Sequence, residues 1–410
     1  MNRLSLAIVA VLLLDELINT FSPFSSGLGL FLFLGFFVFI RPAPVAGRPE
    51  STAIKEPGYL YGGLIVMLVI FVYSQIASFA SPCQGDYVFS FSTTWVLAIS
   101  WLAIEIQVPH LPKTPLIESN HALTGLVLVS LALILSAFGF DLYEFLLQDK
   151  VNRPSGLFLE PSHLALYATP LALASIGDSK TRLPGLLLTG LICVLAFSVT
   201  IALLFFLILI AFLAHKLANS GLYTNKRDIL LIAIAGTVFI IIFLNYGTYN
   251  TSRIEGLLNY ENTTNWSSLV YINGWMLAYS SIVHTSGLGL GLGSMGCSDF
   301  INYNNATLAQ TMMPLSGGLI TNLRDGSFLA SKIASELGLF GIVLLSFTLF
   351  HVLKLMLPAI RGNFNLELIG VIILLLVLLF ARGLPYFSAI FVYIWLFLRL
   401  TVWHRKQATG

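Results

Sequence analysis

Charged side chains are scarce in this sequence. Lys and Arg together number 21, and Asp and Glu number 19, which makes 10% of 410 residues. Soluble globular domains carry roughly 25%, so an ordinary soluble domain is excluded. The formal net charge of +2 excludes a charged tail for nucleic acid. Three cysteines are too few for a disulfide scaffold.

Long apolar runs take the place of the missing charges. Hydrophobic residues make up 57% of the chain, enough at roughly 20 residues per span for about eleven or twelve membrane crossings. The pattern predicts an all-α polytopic membrane protein with about 12 transmembrane helices. The continuous apolar run over 185–214 is too long for one upright helix, so we expect a hairpin of short helices split at 198–200. The predicted spans are 4–21, 25–40, 58–80, 93–108, 121–140, 162–177, 185–198, 199–214, 229–246, 333–357, 367–380 and 388–403.

The predicted spans divide the chain into three regions. Residues 1–246 hold spans one to nine and include a short external loop at 141–161, to which we assign a functional role. Residues 247–325 form a large external loop between spans nine and ten, and residues 326–410 hold spans ten to twelve. Because the long loop does not follow span six, a repeat of two six-helix halves is disfavoured.

The placement of Lys and Arg orients the spans. These residues concentrate in alternate loops, so those loops and both termini are predicted to be cytoplasmic. Near the cytoplasmic end of the last span, snorkelling of the long side chain is a sufficient explanation for Arg399. Five cations fall on the opposite side, against the usual bias, and therefore need another reason: Lys150, Arg153, Arg253, Arg324 and Arg382.

The external loop at 141–161 offers two interpretations. Glu160 precedes Pro161 at the start of a predicted helix and lies within one loop of Arg153, while His163 follows in the first turn. In the simpler interpretation, Glu160 is a helix cap with a surface ion pair. In the functional one, an anion-binding cation has a general base beside it.

An aromatic stripe lies in the second half of the large loop. Tyr271, Trp275 and Tyr279 recur every four residues and so share one helical face. The stripe is typical of core packing or of an interfacial aromatic belt. It also suits a sugar platform, because aromatic rings present apolar area to sugar C–H groups while their polar tips bind hydroxyls.

A glycine-rich run follows the stripe. Gly289, Gly291 and Gly293 alternate with leucine, but the preceding sequence lacks the βαβ pattern that a dinucleotide site requires. Alternating glycines allow a ligand to approach exposed backbone N–H groups, as in a cradle for phosphate or sugar. The alternative is a flexible loop whose glycines permit tight packing.

The end of the large loop carries further charges. Arg324 and Asp325 precede a helix in which Lys332 and Glu336 are four residues apart and can pair on one face. Since this helix enters the membrane, such charges are costly unless they face a polar cavity.

Three segments, in order on the predicted external loops, resemble the Wzy-type O-antigen polymerases. They read RPSGLFLEPSH at 153–163, LVYINGW at 269–275 leading into GLGLGSMG at 289–296, and NLRDGSFLASKIASELG at 322–338. The similarity covers mainly residues 150–340. Elsewhere only the twelve-span plan matches.

The resemblance implies a glycosyltransferase of the bacterial inner membrane with its active site on the periplasmic face, so the loop at 247–325 is predicted to be periplasmic. It would transfer a growing glycan from undecaprenyl diphosphate onto the non-reducing end of an undecaprenyl-diphosphate-linked repeat unit. The implied partners are these lipid-linked oligosaccharides, the lipid bilayer and a chain-length regulator protein of the same pathway, with no nucleic acid. No cofactor is implied, and the absence of a carboxylate pair to hold a divalent metal predicts metal-independent chemistry.

Two alternatives stay open. An O-antigen ligase shares the architecture and the donor, but its pattern of His followed by Asn, Ser or Gln is absent, because His284 is followed by Thr285. A flippase or transporter of lipid-linked oligosaccharides belongs to another class, and it would predict charges lining a central cavity and a two-half repeat.

The chemistry of the proposed reaction suggests a role for each candidate residue. Undecaprenyl diphosphate is already a good leaving group, so the enzyme must stabilise its developing charge and take a proton from the attacking hydroxyl. We predict Arg153, Arg253 and Arg324 for the first task, and Glu160 as the base, with His163 and Asp325 as rivals. The remaining predicted substrate-binding residues are Arg382, Tyr271, Trp275, Gly289, Gly291, Gly293, Lys332 and Glu336.

Overall fold

The computed structural model describes residues 3–21, 57–81, 87–108, 111, 115–140, 156–158, 160–196, 200, 203–210, 236–237, 255–256, 258, 266–295, 328–361, 365–384 and 388–409. All regular secondary structure in these residues is helical. The helices are α1 (Arg3–Phe21), α2 (Pro57–Ala80), α3 (Tyr87–Gln107), α4 (Ser119–Ala137), α5 (Pro161–Gly177), α6 (Arg182–Ala196), α7 (Trp266–His284), α8 (Leu329–Arg361), α9 (Leu366–Phe380) and α10 (Ala389–Thr409), with a further helical segment at 203–210.

Several of these helices have the composition of membrane spans. Three are long and apolar enough to cross a bilayer: Gly63–Ala80, Ser119–Ala137 and Leu329–Pro358. Five shorter apolar helices accompany them within the described residues. The prediction of an all-helical protein is therefore confirmed for the described residues, and the three long apolar helices are consistent with a membrane protein. The number of twelve spans stays a prediction, since 25–40 and most of 229–246 lie outside the described residues.

The centre of the helical body is α5. Every residue from Leu164 to Ile176 is buried, and a helix that is apolar all round is expected in a core position. Helices α4, α6 and α9 pack around it, and small residues permit the close approach. A Cβ on Gly370 of α9 would lie 2.2 Å from Leu173, and one on Gly185 of α6 would lie 2.4 Å from Ser175. These two close contacts fix the second half of α5, which continues the helix that begins with Pro161 next to Glu160.

Helices α2 and α8 turn apolar side chains outward. On α8, Leu339, Val343, Phe347 and Phe350 are more than half exposed and recur every three or four residues. Such a stripe would be unfavourable in water but is the expected surface of a helix that borders lipid tails.

The long apolar run at 185–214 forms two helical segments. Helix α6 ends at Ala196, and the next described helical segment covers 203–210. Leu186 from the first and Ile208 and Leu209 from the second line one apolar cavity. Residues near opposite ends of the run therefore lie close together, as a hairpin requires, while the predicted split at 198–200 lies mostly outside the described residues.

Candidate functional site

Three charged or ionisable side chains converge at the start of α5. Glu160 is the residue before the helix, in extended backbone conformation (φ −136°, ψ 145°), and Pro161 is the first helical residue. Arg382 follows the end of α9 at Phe380. The Nη2 group of Arg382 donates a hydrogen bond to Oε2 of Glu160 and lies 3.4 Å from Nε2 of His163. Two distant parts of the chain therefore share one polar site.

The Glu160 carboxylate has two donors on one oxygen. Besides Arg382, the hydroxyl of Ser162 donates to Oε2 at 3.0 Å. The side chain makes no capping hydrogen bond to the helix backbone, although Glu160 occupies the cap position. The capping part of the simpler interpretation is thus wrong, whereas an ion pair is present and its described partner is Arg382. Arg153, the predicted partner, lies outside the described residues.

The surroundings of Glu160 favour its charged form. Burial raises the pKa of this carboxyl, but the positive charge of Arg382, the electrostatic effect of His163 and the hydrogen bonds from Ser162 and Arg382 lower the pKa further than burial raises it. The net pKa lies below the ordinary value of 4.5. Glu160 is therefore a carboxylate at neutral pH, and a carboxylate with a lowered pKa is a weak proton acceptor.

The site can be reached from one side. The side chain of Arg382 is 23% exposed and that of Glu160 is 47% exposed. Among the described residues the Nε of Arg382 is buried and has no hydrogen-bond partner, so an anion would reach the guanidinium through its exposed part, and a small shift of the side chain would be needed to engage Nε. A phosphate or carboxylate group can present two oxygens to the N–H groups of a guanidinium and therefore matches this arginine.

Sequence reasoning did not select Asp15 as a site residue. This residue is fully buried, and Oδ2 of its carboxyl accepts hydrogen bonds from the Tyr167 hydroxyl at 2.5 Å and from the Ala389 N–H at 2.9 Å. The sequence does place this carboxylate within the first apolar run. A carboxylate in such a run needs polar partners, and this need could have marked Asp15 as a residue of interest.

Two residues of the aromatic stripe pack against a buried ring, and the third is exposed. The rings of Tyr271 and Trp275 lie against Phe328, with centroids 4.7 Å and 4.9 Å away. Phe328 is fully buried, whereas Tyr279 is 72% exposed. Two of the three residues thus connect α7 to the start of α8, and this contact favours the packing interpretation for them. A sugar platform stays a prediction.

The glycine-rich run packs against a break in α8. At Gly338 the backbone leaves helical geometry (φ 57°, ψ −137°), which frees backbone groups from the helix. The N–H groups of Leu290 and Gly291 donate to the carbonyls of Ser335 and Glu336 at 3.0 and 2.8 Å, and Leu339 N–H donates to the Gly287 carbonyl at 2.9 Å. The run thereby supplies hydrogen bonds that the interrupted helix lacks.

Close approach explains the glycines at two positions. A Cβ on Gly289, where φ is +82°, would lie 2.5 Å from the Gly338 nitrogen. A Cβ on Gly291, where φ is +90°, would lie 2.6 Å from Cβ of Ser78. Their N–H groups are already donated within the chain, that of Gly289 to Oγ1 of Thr285 at 2.7 Å. These contacts favour the tight-packing alternative over a ligand cradle; Gly293 has the same left-handed conformation (φ +79°).

The charged pair at the start of α8 is buried. Glu336 is fully buried and Lys332 is 8% exposed. Oε1 of Glu336 accepts the N–H of Met295 at 3.3 Å, so this side chain, like its backbone carbonyl, contacts the glycine-rich run. The predicted pairing of Lys332 with Glu336 stays a prediction.

Arg399 does not need snorkelling to be accommodated. Its Nε and Nη2 donate to Oε1 and Oε2 of Glu105 at 2.5 and 2.7 Å. The two side chains are 16% and 8% exposed. The sequence could not indicate this partner, because Glu105 of α3 and Arg399 of α10 become neighbours only through the packing of the helices.

The remaining predicted site residues, Arg153, Arg253, Arg324 and Asp325, lie outside the described residues. Within the described part of the chain, no three His, Cys, Asp or Glu side chains are arranged to hold a metal ion. Comparisons with protein-family models, with curated proteins and with solved structures gave no match.

Proposed function

We propose that this chain is a membrane glycosyltransferase of the O-antigen polymerase type, which uses undecaprenyl-diphosphate-linked glycans. The observation that carries the proposal is the convergence of Arg382, Glu160 and His163 on a helical body with the composition of a membrane protein. The site offers a permanent cation for a diphosphate and an imidazole for a proton. These are the two functions that the transfer reaction needs.

Arg382 is the proposed contact for the diphosphate. A guanidinium is always charged and binds two phosphate oxygens at once. Arg382 is paired with Glu160, so an incoming diphosphate would compete with this carboxylate for the same donors. Glu160 would then orient the arginine, which is a change from the role of base that the sequence suggested.

His163 is the proposed base. Because a guanidinium only donates hydrogen bonds, a bond from Arg382 Nη2 requires a lone pair on Nε2 of His163. That lone pair can take the proton of the acceptor hydroxyl as its oxygen forms a bond to the anomeric carbon. The bond from that carbon to the diphosphate oxygen breaks, and undecaprenyl diphosphate leaves with the bonding electrons.

The proposed location is the bacterial inner membrane, with both termini cytoplasmic and the site facing the periplasm. Contacts between segments on the proposed cytoplasmic side support the alternation of loops, although they are equally compatible with either orientation of the whole chain. Ser5 Oγ accepts the Glu118 N–H at 2.7 Å, and Ser119 Oγ donates to Asp178 at 2.7 Å. The starts of α1 and α4 and the end of α5 therefore lie together, as the alternation of loops requires.

The test uses the full chain in proteoliposomes with a synthetic undecaprenyl-diphosphate-linked repeat unit. We expect glycans of two or more repeat units, and loss of these products in Arg382→Ala. Arg182→Ala is the matched control, since that arginine contacts backbone carbonyls at the far end of α5. If wild-type protein elongates no glycan but transfers one to added lipid A–core, the protein is a ligase. If neither product forms, the proposed function is wrong.

A further inference from the structure

We propose that Asp15 is a positioning residue, which holds together the two parts of the chain that form the site. Its carboxyl contacts α5, which begins beside Glu160 and His163, and α10, which begins seven residues after Arg382. The catalytic meaning of this arrangement rests on the proposed function. The geometric part can be tested without it.

The contact with α5 is made through Tyr167. The Tyr167 hydroxyl donates to Oδ2 of Asp15 at 2.5 Å, and the residue is 2% exposed. His163 lies four residues earlier, on the same face of the helix. The Tyr167 ring also stacks on Phe158, with centroids 5.4 Å apart, and Phe158 comes two residues before Glu160. Tyr167 therefore connects Asp15 to both sides of the turn that carries Glu160.

The contact with α10 is made at its first residue. The N–H of Ala389 is one of the helix-starting donors that have no partner within the helix, and Asp15 Oδ2 accepts it at 2.9 Å. A carboxylate at this end also interacts favourably with the helix dipole. The segment that carries Arg382 is also fixed where it leaves α9. There the N–H groups of Ala381 and Arg382 both donate to the Val377 carbonyl. Arg382 is thus held between two anchored points.

Asp15 acts through other residues. It is fully buried, so it cannot touch a substrate that reaches the exposed face of Glu160. One oxygen nevertheless receives a donor from each of the two segments. A change at Asp15 should therefore alter the distance between Glu160 and Arg382 rather than the chemistry of either group.

Chemical cross-linking measures that distance directly. Glu160→Cys and Arg382→Cys would be combined in a chain whose three natural cysteines are replaced, and membranes would be treated with a short thiol-specific cross-linker. Because the ion pair is then absent, cross-linking reports how closely the remaining contacts hold the two segments. We expect efficient cross-linking with Asp15 present and at least a fivefold lower yield with Asp15→Ala or Tyr167→Phe. Equal yields would overturn the proposal.

The consequence for catalysis is measured in the proteoliposome assay. We expect Tyr167→Phe to lower kcat about tenfold without changing the amount of inserted protein. The control, Tyr73→Phe, removes the hydroxyl that contacts the Gly287 carbonyl on another part of the body and should keep wild-type kcat. Full kcat in Tyr167→Phe, with Arg382→Ala inactive, would refute the positioning role and leave the proposed function intact. An inactive wild type combined with the expected cross-linking would refute the proposed function alone.

Discussion

Arg382 and Glu160 form an ion pair although 222 positions separate them in the chain. The guanidinium comes from the segment between α9 and α10, and the carboxylate from the residue that precedes α5. This pair is the centre of the candidate site. The contacts beneath it, from Asp15 to both segments, explain why two distant loops meet at one point.

The comparison of Glu160 with His163 tests which residue is the base. We expect His163→Gln to lower the rate of glycan transfer by 10²-fold or more, about the contribution of a general base. Glu160→Gln should cost only roughly tenfold, because glutamine still accepts a hydrogen bond from Arg382. Initial rates in the proteoliposome assay give the comparison, with Ser162→Ala as the control that removes one donor to Glu160. A larger loss for Glu160→Gln would restore Glu160 as the base.

The ion pair between Glu160 and Arg382 should make the stability of the folded protein depend on pH in the acid range. The pKa of Glu160 is lower in the folded protein than its ordinary value of 4.5, so the folded state binds fewer protons there than the unfolded state. The stabilisation is complete above the ordinary pKa and is lost as the pH falls through the folded pKa. We therefore expect the melting temperature of wild-type protein to exceed that of Glu160→Gln at neutral pH, and the difference to shrink below about pH 4.5. A difference that stays constant into acid would show that the pair does not contribute.

The glycine at 289 should be far more sensitive than another glycine of similar backbone conformation. Gly289 and Gly139 have φ values of +82° and +86°, but a Cβ on Gly139 meets nothing within 4 Å. Gly139→Ala should cost about 1–2 kcal/mol from backbone strain alone. Gly289→Ala adds the collision with Gly338, so we expect roughly 1–3 kcal/mol more. Thermal unfolding in detergent measures both, and equal losses would mean that the run does not pack tightly against α8.

The pair of Glu105 and Arg399 provides a test of packing between α3 and α10. Removing one partner of a largely buried pair leaves an uncompensated charge, so Arg399→Leu alone should destabilise by roughly 3–5 kcal/mol. Combining it with Glu105→Leu should recover much of that loss, since two apolar side chains replace two charges. The melting temperatures of the wild type, the two single variants and the double variant form a double-mutant cycle, which gives the coupling between Glu105 and Arg399. If the two single losses simply add, the residues do not interact.

Part of the candidate site could be predicted from the sequence. The sequence predicts Arg382 from its place against the charge bias, and Glu160 and His163 as candidate bases at the start of a predicted helix. Their mutual contact could not be predicted, and Arg153 was the expected partner of Glu160. Local spacing relates residues within a few turns of a helix, whereas Arg382 reaches Glu160 through the packing of α9 on α5.

The role of the glycine-rich run could not be predicted from the sequence either. The alternation of glycine and leucine is visible in the sequence, but it is compatible with a ligand cradle and with tight packing. Only the position of the break at Gly338, facing Gly289, favours packing. The N–H groups of Leu290 and Gly291 have partners in Ser335 and Glu336 because two segments meet that are more than 40 residues apart.

The sequence by itself determined that this protein is helical, with apolar helices of the composition of membrane spans, and where most of the described helices lie. Hydropathy is a local property that can be read from the sequence. Because a backbone in lipid must satisfy its own hydrogen bonds, a long apolar run is expected to form a helix. Tertiary structure decided which of the few polar groups meet: Asp15 with Tyr167 and Ala389, Glu105 with Arg399, and Glu160 with Arg382. A buried polar group needs a partner, but its partner is determined by how the helices pack, because groups far apart in the chain become neighbours only then.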